Sequence, residues 1–231
     1  MTPARAAAAR GVTRLCHFTP NVNLVDILSD GAIRPTADLA DSPGAPFRPT
    51  DTKRLDGHPD KISCSVQYPN AHYMDRTADR PDLVHFTDRC VLLLDIALLD
   101  RDGVLFAPTN AATGRGAGCR PGLDGFEALY AGTVHGAQGR RISRGLYHRE
   151  ACPTDEQAEV LIPGDIGTRH LLQIVLPSES AIRNLLAQLR AVEIDLGPVP
   201  VRVAPQMFDK SLLSRAIRDG ESFTEHDGTD L

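Results

Sequence analysis

Residues 153–162 read Pro153-Thr154-Asp155-Glu156-Gln157-Ala158-Glu159-Val160-Leu161-Ile162. Ala158 to Ile162 has the length and apolar character of a buried strand, and Pro163 and Gly164 stop it. Side chains of a strand alternate between its faces, so Gln157 and Glu159 share one face while Val160 and Ile162 take the other. A carboxylate leading into an apolar strand is costly to bury unless it is paired or put to use. On this segment alone, a rim residue facing water explains Glu159 as well as a functional one does.

A second segment lies at the other end of the chain: Leu15-Cys16-His17-Phe18-Thr19. Val12 to Phe18 reads as a strand that delivers His17 near its end, where an imidazole can donate or accept a hydrogen bond in a cleft. Pro20 and Asn21 open a helix on which Leu24, Ile27 and Leu28 fall at helical spacing, and Gly31 suits its C-terminal cap. Between the two segments, Ile62, Cys64 and Val66 alternate as in a half-buried strand. Cys90 to Ile96 is a more continuous apolar run, interrupted only by Asp95, of the kind found in a central strand. Val104 to Phe106 and Leu171 to Leu176 read as further strands, and Leu123 to Ala131 as a helix. The clearest helix follows Ser178 or Ser180 as cap, with Ile182, Leu185, Leu186 and Leu189 as its buried stripe. Val199, Val201 and Val203 make a late strand and Asp209 to Arg218 a short helix. Thr36 to Pro59 and Gly132 to Asp155 read as long polar loops. Strands outnumber helices without strict βαβ order, which predicts an α+β fold. The expected organisation is a flexible N-terminus at 1–11, one domain over 12–218, and an acidic, disordered tail at 219–231.

The chain of 231 residues carries a formal charge of −5, which excludes a basic nucleic-acid coat protein. The charge is uneven. Asp219, Glu221, Glu225, Asp227 and Asp230 crowd the tail, whereas Arg101 to Arg149 holds seven Arg against Asp102, Asp124 and Glu127. Such an arginine-rich stretch is either a solvated loop surface or a phosphate-binding face. Five Cys, an odd number with no C-x-x-C spacing, argue against a disulfide framework and a zinc site and fit a reducing cytoplasm. The N-terminus lacks the long apolar stretch of a signal peptide, and no run reaches the ~18 apolar residues of a membrane span. Gly114-Arg115-Gly116-Ala117-Gly118 is not G-x-G-x-x-G, because Cys119 follows, and no Walker A, H-E-x-x-H or G-x-S-x-G sequence occurs.

Taken together, the two segments resemble the ADP-ribosyltransferase fold, and within it the DarT family of DNA-modifying toxins. The shared features are His17, then Asn23-Leu24, Ile27-Leu28 and Gly31, and the late Gln157-Ala158-Glu159. Arg54 and Asp60 before the Ile62 strand occupy the place of a family Arg and Asp, in a loop that also holds Arg48 and Lys53. Thr109-Asn110-Ala111-Ala112 resembles a family Asn-Ala segment. Where the family shows an aromatic and then Pro-Arg-Ser-Pro-Met, this chain has Tyr68-Pro69-Asn70-Ala71-His72-Tyr73-Met74, without the Arg and with Asn70 for Ser.

The resemblance implies a split central β-sheet with flanking helices. It implies NAD as co-substrate, no metal, single-stranded DNA as acceptor, and a macrodomain-type antitoxin as partner. Glu159 is then the catalytic carboxylate, stabilising positive charge on the ribose as nicotinamide leaves. Arg54 pairs with the pyrophosphate. His17, Phe18, Thr19, Asn23 and Leu24 hold NAD, with Tyr68 or Tyr73 stacked on nicotinamide. Gln157, Asn110, Arg115, Arg120, Arg141 and Arg144 are expected on the nucleic acid, with Arg140, Tyr130 and Tyr147 beside them. Other readings are an ADP-ribosyltransferase acting on RNA or protein, an RNA 2′-phosphotransferase, and an inactive NAD- or nucleic-acid-binding module. The Gln157/Glu159 pair weighs against the phosphotransferase.

Overall fold

The computed structural model describes residues 1–40, 54–78 and 88–228. In chain order the elements are α1 (Pro3–Ala9), β1 (Leu15–Pro20), α2 (Asn21–Asp30), β2 (Ala32–Ile33), α3 (Thr36–Ala40), β3 (Lys61–Val66), α4 (Ala71–Ala78) and β4 (Arg89–Leu94). There follow β5 (Leu105–Ala107), β6 (Arg120–Pro121), α5 (Gly122–Ala128), β7 (Thr133–His135), β8 (Arg141–Ser143), β9 (Glu159–Pro163) and β10 (Ile166–Gly167). The last elements are β11 (Leu171–Leu176), α6 (Glu179–Ala191), β12 (Val201–Val203), α7 (Lys210–Arg218) and β13 (His226–Asp227).

Nine strands form one sheet in the order β13-β12-β11-β4-β1-β3-β9-β5-β6. Its pairings are antiparallel except β11 with β12, which fits the α+β reading. At the centre β4 is buried on both faces, as its continuous apolar run predicts. Cys90, Leu92 and Leu94 enter a core lined by α1, α2, α5 and α6, while Val91 and Leu93 enter a second core beneath α4 and α7. The sheet is therefore a middle layer with a hydrophobic core on either side.

The sheet splits at its middle. β1 and β3 pair at Leu15↔Val66 and Cys16↔Ser65. Beyond Cys16, β1 stays with β4 as far as Pro20, while residues 61–64 of β3 stay with β9. A wedge opens between the two diverging strand ends, and each end is held straight by its other neighbour.

Local structure follows the sequence where its signals are strong. Gly31 caps α2 in the left-handed region (φ 71°), a conformation that costs glycine little. Ser178 caps α6 by accepting from the Ala181 amide. The chain ends differ from expectation. Residues 3–9 form α1, capped by Thr2 with Pro3 in its first turn, and Ala6 and Ala7 are buried in the core. Asp100 accepts from the Thr2 hydroxyl and the Ala4 amide and fixes that helix in place. At the other end the acidic tail lies on the protein through 228: Glu225 pairs with Arg14, the Phe223 ring packs tilted against Tyr68 with centroids 4.8 Å apart, and β13 pairs with β12. Of the acids that suggested disorder, Glu221, Glu225 and Asp227 have cationic partners in Arg215, Arg14 and Arg202. The loop expected over 36–59 begins with α3, and Arg48 and Lys53 lie outside the described residues. The loop expected over 132–155 contains the β7–β8 hairpin.

Candidate active site

The wedge is the mouth of a cavity of about 670 Å³, a size typical of cofactor and ligand sites. β1 contributes His17, Phe18 and Thr19, α2 contributes Asn23, and β3 contributes Ser63 and Ser65. Arg54 and Asp56 approach from the loop before β3, Tyr73 and His72 from α4, Asn110 from the segment after β5, and Gln157 and Glu159 from the start of β9. The two sequence segments far apart in the chain thus line one space.

Ser63 joins them. Its carbonyl lies 2.9 Å from His17 Nδ1. A carbonyl only accepts, so Nδ1 carries the proton and Nε2 keeps its lone pair. Burial lowers the His17 pKa and outweighs the raising effect of this bond, with the nearby Arg54 charge lowering it further. His17 is therefore neutral at pH 7. The Ser63 hydroxyl donates to Glu159 Oε2 at 2.5 Å. Asn110 Nδ2 donates to Glu159 Oε1 at 2.6 Å, and the Ala111 amide reaches the same oxygen at 3.3 Å.

Glu159 is only 9% exposed. Burial raises its pKa, and the Asp56 charge adds to that. The Ser63 and Ala111 hydrogen bonds and the Arg54 charge pull it back, leaving it at about 7. A carboxyl poised there can hold a negative charge or exchange a proton near neutral pH.

Arg54 lines the cavity in a fixed pose. Its Nε and Nη2 meet the two carboxylate oxygens of Asp56 at 3.1 and 2.7 Å, and Nη1 donates to the Lys61 carbonyl at 2.7 Å. Nη2 also donates to the His58 carbonyl. The acid paired with this arginine is thus Asp56. Asp60 is exposed and pairs with Lys61 at 3.1 Å. The glycine-rich stretch packs on the same loop. A Cβ on Gly116 (φ 83°) would stand 2.3 Å from the Asp56 carbonyl oxygen, so the run serves close backbone approach.

Several expected residues lie elsewhere. Leu24 is fully buried in the core, because the face of α2 that carries it turns inward. Tyr68 sits in the second core with Phe223 and Arg14; of the two tyrosines it is Tyr73 that lines the cavity, edge-on to Phe18 at 5.9 Å. Arg144 is bound to the Cys152 and Arg149 carbonyls, and it and Arg10 both lie over the ring of the buried Tyr130. Arg115, Arg120, Arg140 and Arg141 are exposed and do not line the cavity, although Ala137 of the β7–β8 hairpin does. Tyr147 is exposed, also away from it. Asn110, expected on nucleic acid, binds Glu159 directly.

Sequence reasoning missed Ser63, Ser65 and Asp56. The polar positions of the Ile62-Cys64-Val66 alternation carry the signal for the two serines. Asn70, which stands where the family pattern has Ser, accepts from the Tyr73 amide at 2.9 Å and caps α4. Ser and Asn are both strong N-caps, so this departure keeps the local structure.

Among the described residues no group of three or more His, Cys, Asp or Glu side chains is arranged to hold a metal ion. No helix there is long and apolar enough to cross a membrane.

Residues 16–209 match the family model described as "ssDNA thymidine ADP-ribosyltransferase, DarT". No curated protein matches the chain in sequence. Among solved structures the fold is similar to that of Thermus sp. 2.9 DarT in complex with NAD+, with a TM-score of 0.57 and 13% identity over 85% of this chain and 98% of that one. The same protein in complex with ADP-ribosylated ssDNA matches with a TM-score of 0.57 and 14% identity over 86% and 97%. Thermosipho africanus DarTG in complex with ADP-ribose matches with a TM-score of 0.55 and 16% identity, over 85% of this chain and 51% of that one.

Proposed function

The chain belongs to the DarT family of single-stranded-DNA thymidine ADP-ribosyltransferases, and from that premise we propose how its cavity works. The protein is an NAD-dependent ADP-ribosyltransferase acting on single-stranded DNA. The bond between ribose C1′ and nicotinamide breaks, and nicotinamide leaves with the bonding electrons. A bond from a base nitrogen to C1′ forms, and the base gives up its proton. For thymidine that nitrogen is N3, the base's only N–H.

Glu159 is the central residue of this reading, and the observation that carries it is its burial in the cavity with both carboxylate oxygens hydrogen-bonded. As a carboxylate it accepts from the ribose 2′-hydroxyl and stabilises the positive charge that grows on the ring. The leaving group is already cationic, so no acid is needed to protonate it. The same carboxylate then takes the N3 proton, a task suited to a group titrating near 7. Ser63 and Asn110 hold it in one orientation, so little reorganisation is required during reaction.

His17, with its lone pair at Nε2, accepts from a donor on the nicotinamide–ribose half of NAD. Phe18, Thr19 and Asn23 form the adjoining wall, and Tyr73 offers its ring to the nicotinamide. Arg54 faces the pyrophosphate while Asp56 keeps its fork in place. Gln157, just ahead of Glu159, positions the acceptor base. The exposed Arg115, Arg120 and Arg141 attract the DNA backbone outside the cavity.

We further infer that the protein acts in the bacterial cytoplasm as the toxin of a toxin–antitoxin or phage-defence system, countered by a macrodomain-type antitoxin. Incubating the protein with labelled NAD and single-stranded DNA, duplex DNA, single-stranded RNA or a protein lysate tests the function. Label is expected on single-stranded DNA that contains thymidine. Label on RNA or protein alone would move the acceptor, and absence of both label and NAD loss would overturn the enzymatic reading. Growth arrest on expression, relieved by a co-expressed ADP-ribose-removing macrodomain, tests the cellular role.

A further inference from the structure

Next to Gln157 stands a second glutamate, Glu156, whose side chain is only 6% exposed. Three side chains from two helices converge on it. His72 of α4 approaches Oε2 through Nε2 at 3.3 Å. Ser214 of α7 donates its hydroxyl to Oε1 at 2.9 Å, and Arg218 of α7 donates Nε to the same oxygen. Burial alone would raise the carboxyl's pKa, but the bonds from His72, Arg218 and Ser214 win and hold it at about 2. Glu156 is thus a permanent anion close in sequence to the proton-exchanging Glu159.

Its location gives the anion a task. It lies in the turn between α7 and the cavity, and the same turn is pinned from its other side. Asp155 accepts from the Thr109 hydroxyl at 2.6 Å and from the Gln157 amide at 3.0 Å. His72 and Gln157, the neighbours of Glu156 in space and in sequence, both line the cavity, whereas Ser214 and Arg218 do not. α7 is anchored independently: Arg149 donates to the Ala216 carbonyl at 2.7 Å, and Leu213 and Ile217 are buried in the second core. Ser214 and Arg218 also fall beyond the residues that the family model matches.

We propose that Glu156 is a positioning residue on the acceptor side of the cavity: α7 holds it through Ser214 and Arg218, and it holds His72 and the Gln157 turn where the acceptor base must sit. The inference rests on the function proposed above, with Gln157 facing the acceptor. NAD binds among His17, Asn23 and Arg54, which Glu156 does not touch. Loss of Glu156 therefore leaves NAD cleavage in place and releases control of what attacks C1′. Water enters, and the products shift from ADP-ribosylated DNA toward free ADP-ribose.

The test measures both products from labelled NAD with a thymidine-containing oligonucleotide, together with NAD affinity by calorimetry and melting temperature. Glu156→Gln keeps the side chain's shape and removes its charge. It is expected to lower the ratio of transfer to hydrolysis about tenfold with NAD affinity unchanged. Ser214→Ala combined with Arg218→Met, away from the cavity, should move the ratio in the same direction. His72→Ala should do so too, and it supplies the answer if the Glu156 variant folds poorly. A merely structural role would lower both products together, so an unchanged ratio in all three variants of an active protein overturns the inference. A wild type that neither cleaves NAD nor labels DNA overturns the functional reading first, and this one with it.

Discussion

The Ser63 hydroxyl stands 2.5 Å from a carboxylate oxygen of Glu159, while the Ser63 carbonyl accepts a hydrogen bond from Nδ1–H of His17. One residue of β3 thereby couples the two ends of the chain that carry the proposed chemistry. It does so where β1 and β3 part, so the split in the sheet and the geometry of the site have the same origin.

Glu159→Gln should fold and lose transfer by at least ~10²-fold, the scale seen when preorganised charge stabilisation is removed. Its carbonyl oxygen can still accept from Asn110 and Ala111, and its amide can donate to Ser63. The variant should also be more stable than the wild type at alkaline pH. The folded pKa of about 7 lies above the ordinary 4.5, so this carboxyl favours folding most below pH 4.5 and that advantage is lost as pH rises through 7. The difference is worth about 3 kcal/mol. Chemical denaturation at pH 5 and pH 8.5 measures it, and a variant equally destabilised at both pH values would contradict the assignment.

The rate of transfer should rise with pH along a limb centred near 7, as Glu159 ionises. Asp56→Asn removes a neighbouring anion and leaves the Arg54 charge uncompensated, and both effects favour the carboxylate. The limb should therefore move to lower pH. A shift upward, or none, would separate the limb from Glu159.

Ser63→Ala removes a hydrogen bond that favours the ionised form, so the limb should move to higher pH. The bond to a charged group is worth ~1.5–3 kcal/mol, which from a pKa of about 7 predicts a loss of rate at pH 7 of about sevenfold or more, partly recovered at pH 9. A loss independent of pH would mean that Ser63 acts by some other route.

Gly116→Ala introduces a Cβ 2.3 Å from the Asp56 carbonyl at a positive φ. Strain of this kind costs ~1–3 kcal/mol, and its relief must displace the loop that carries Arg54 and Asp56. The expected result is a lower melting temperature with a raised KM for NAD. The substitution Gly118→Ala, where the Cβ meets open space, should change neither.

Much of this architecture was legible because its signals are local. The uninterrupted run at Cys90–Leu94 is a strand buried on both faces, Gly31 and Ser178 end and begin helices, and the His17 and Gln157-Glu159 segments lie on one cavity. The failures have a common cause, since they depend on long-range partners. Residues 1–11 read as a flexible end although Thr2 and Pro3 mark a helix start, because what holds α1 is distant in sequence: Asp100 and the core that buries Ala6 and Ala7. The acidic tail looked solvated until Arg14 and Arg202 supplied its counter-charges. Tyr68 is expected at the nicotinamide, but it packs on Phe223 and Arg14 in the second core and does not line the cavity. Arg144 was expected on DNA, but two backbone carbonyls hold it. Ser63 drew no attention, because a serine in an alternating strand is ordinary until its neighbours across the split are known.

The central claim is that Glu159, in the cleft of the split sheet, directs ADP-ribose from NAD to a thymine base. The most direct test is mass spectrometry of a single-stranded oligonucleotide containing one thymidine, incubated with NAD and either the wild type or Glu159→Gln. The account predicts one ADP-ribose on that thymidine with the wild type and none with the variant, both proteins being folded. Modification at an undiminished rate by Glu159→Gln would contradict it.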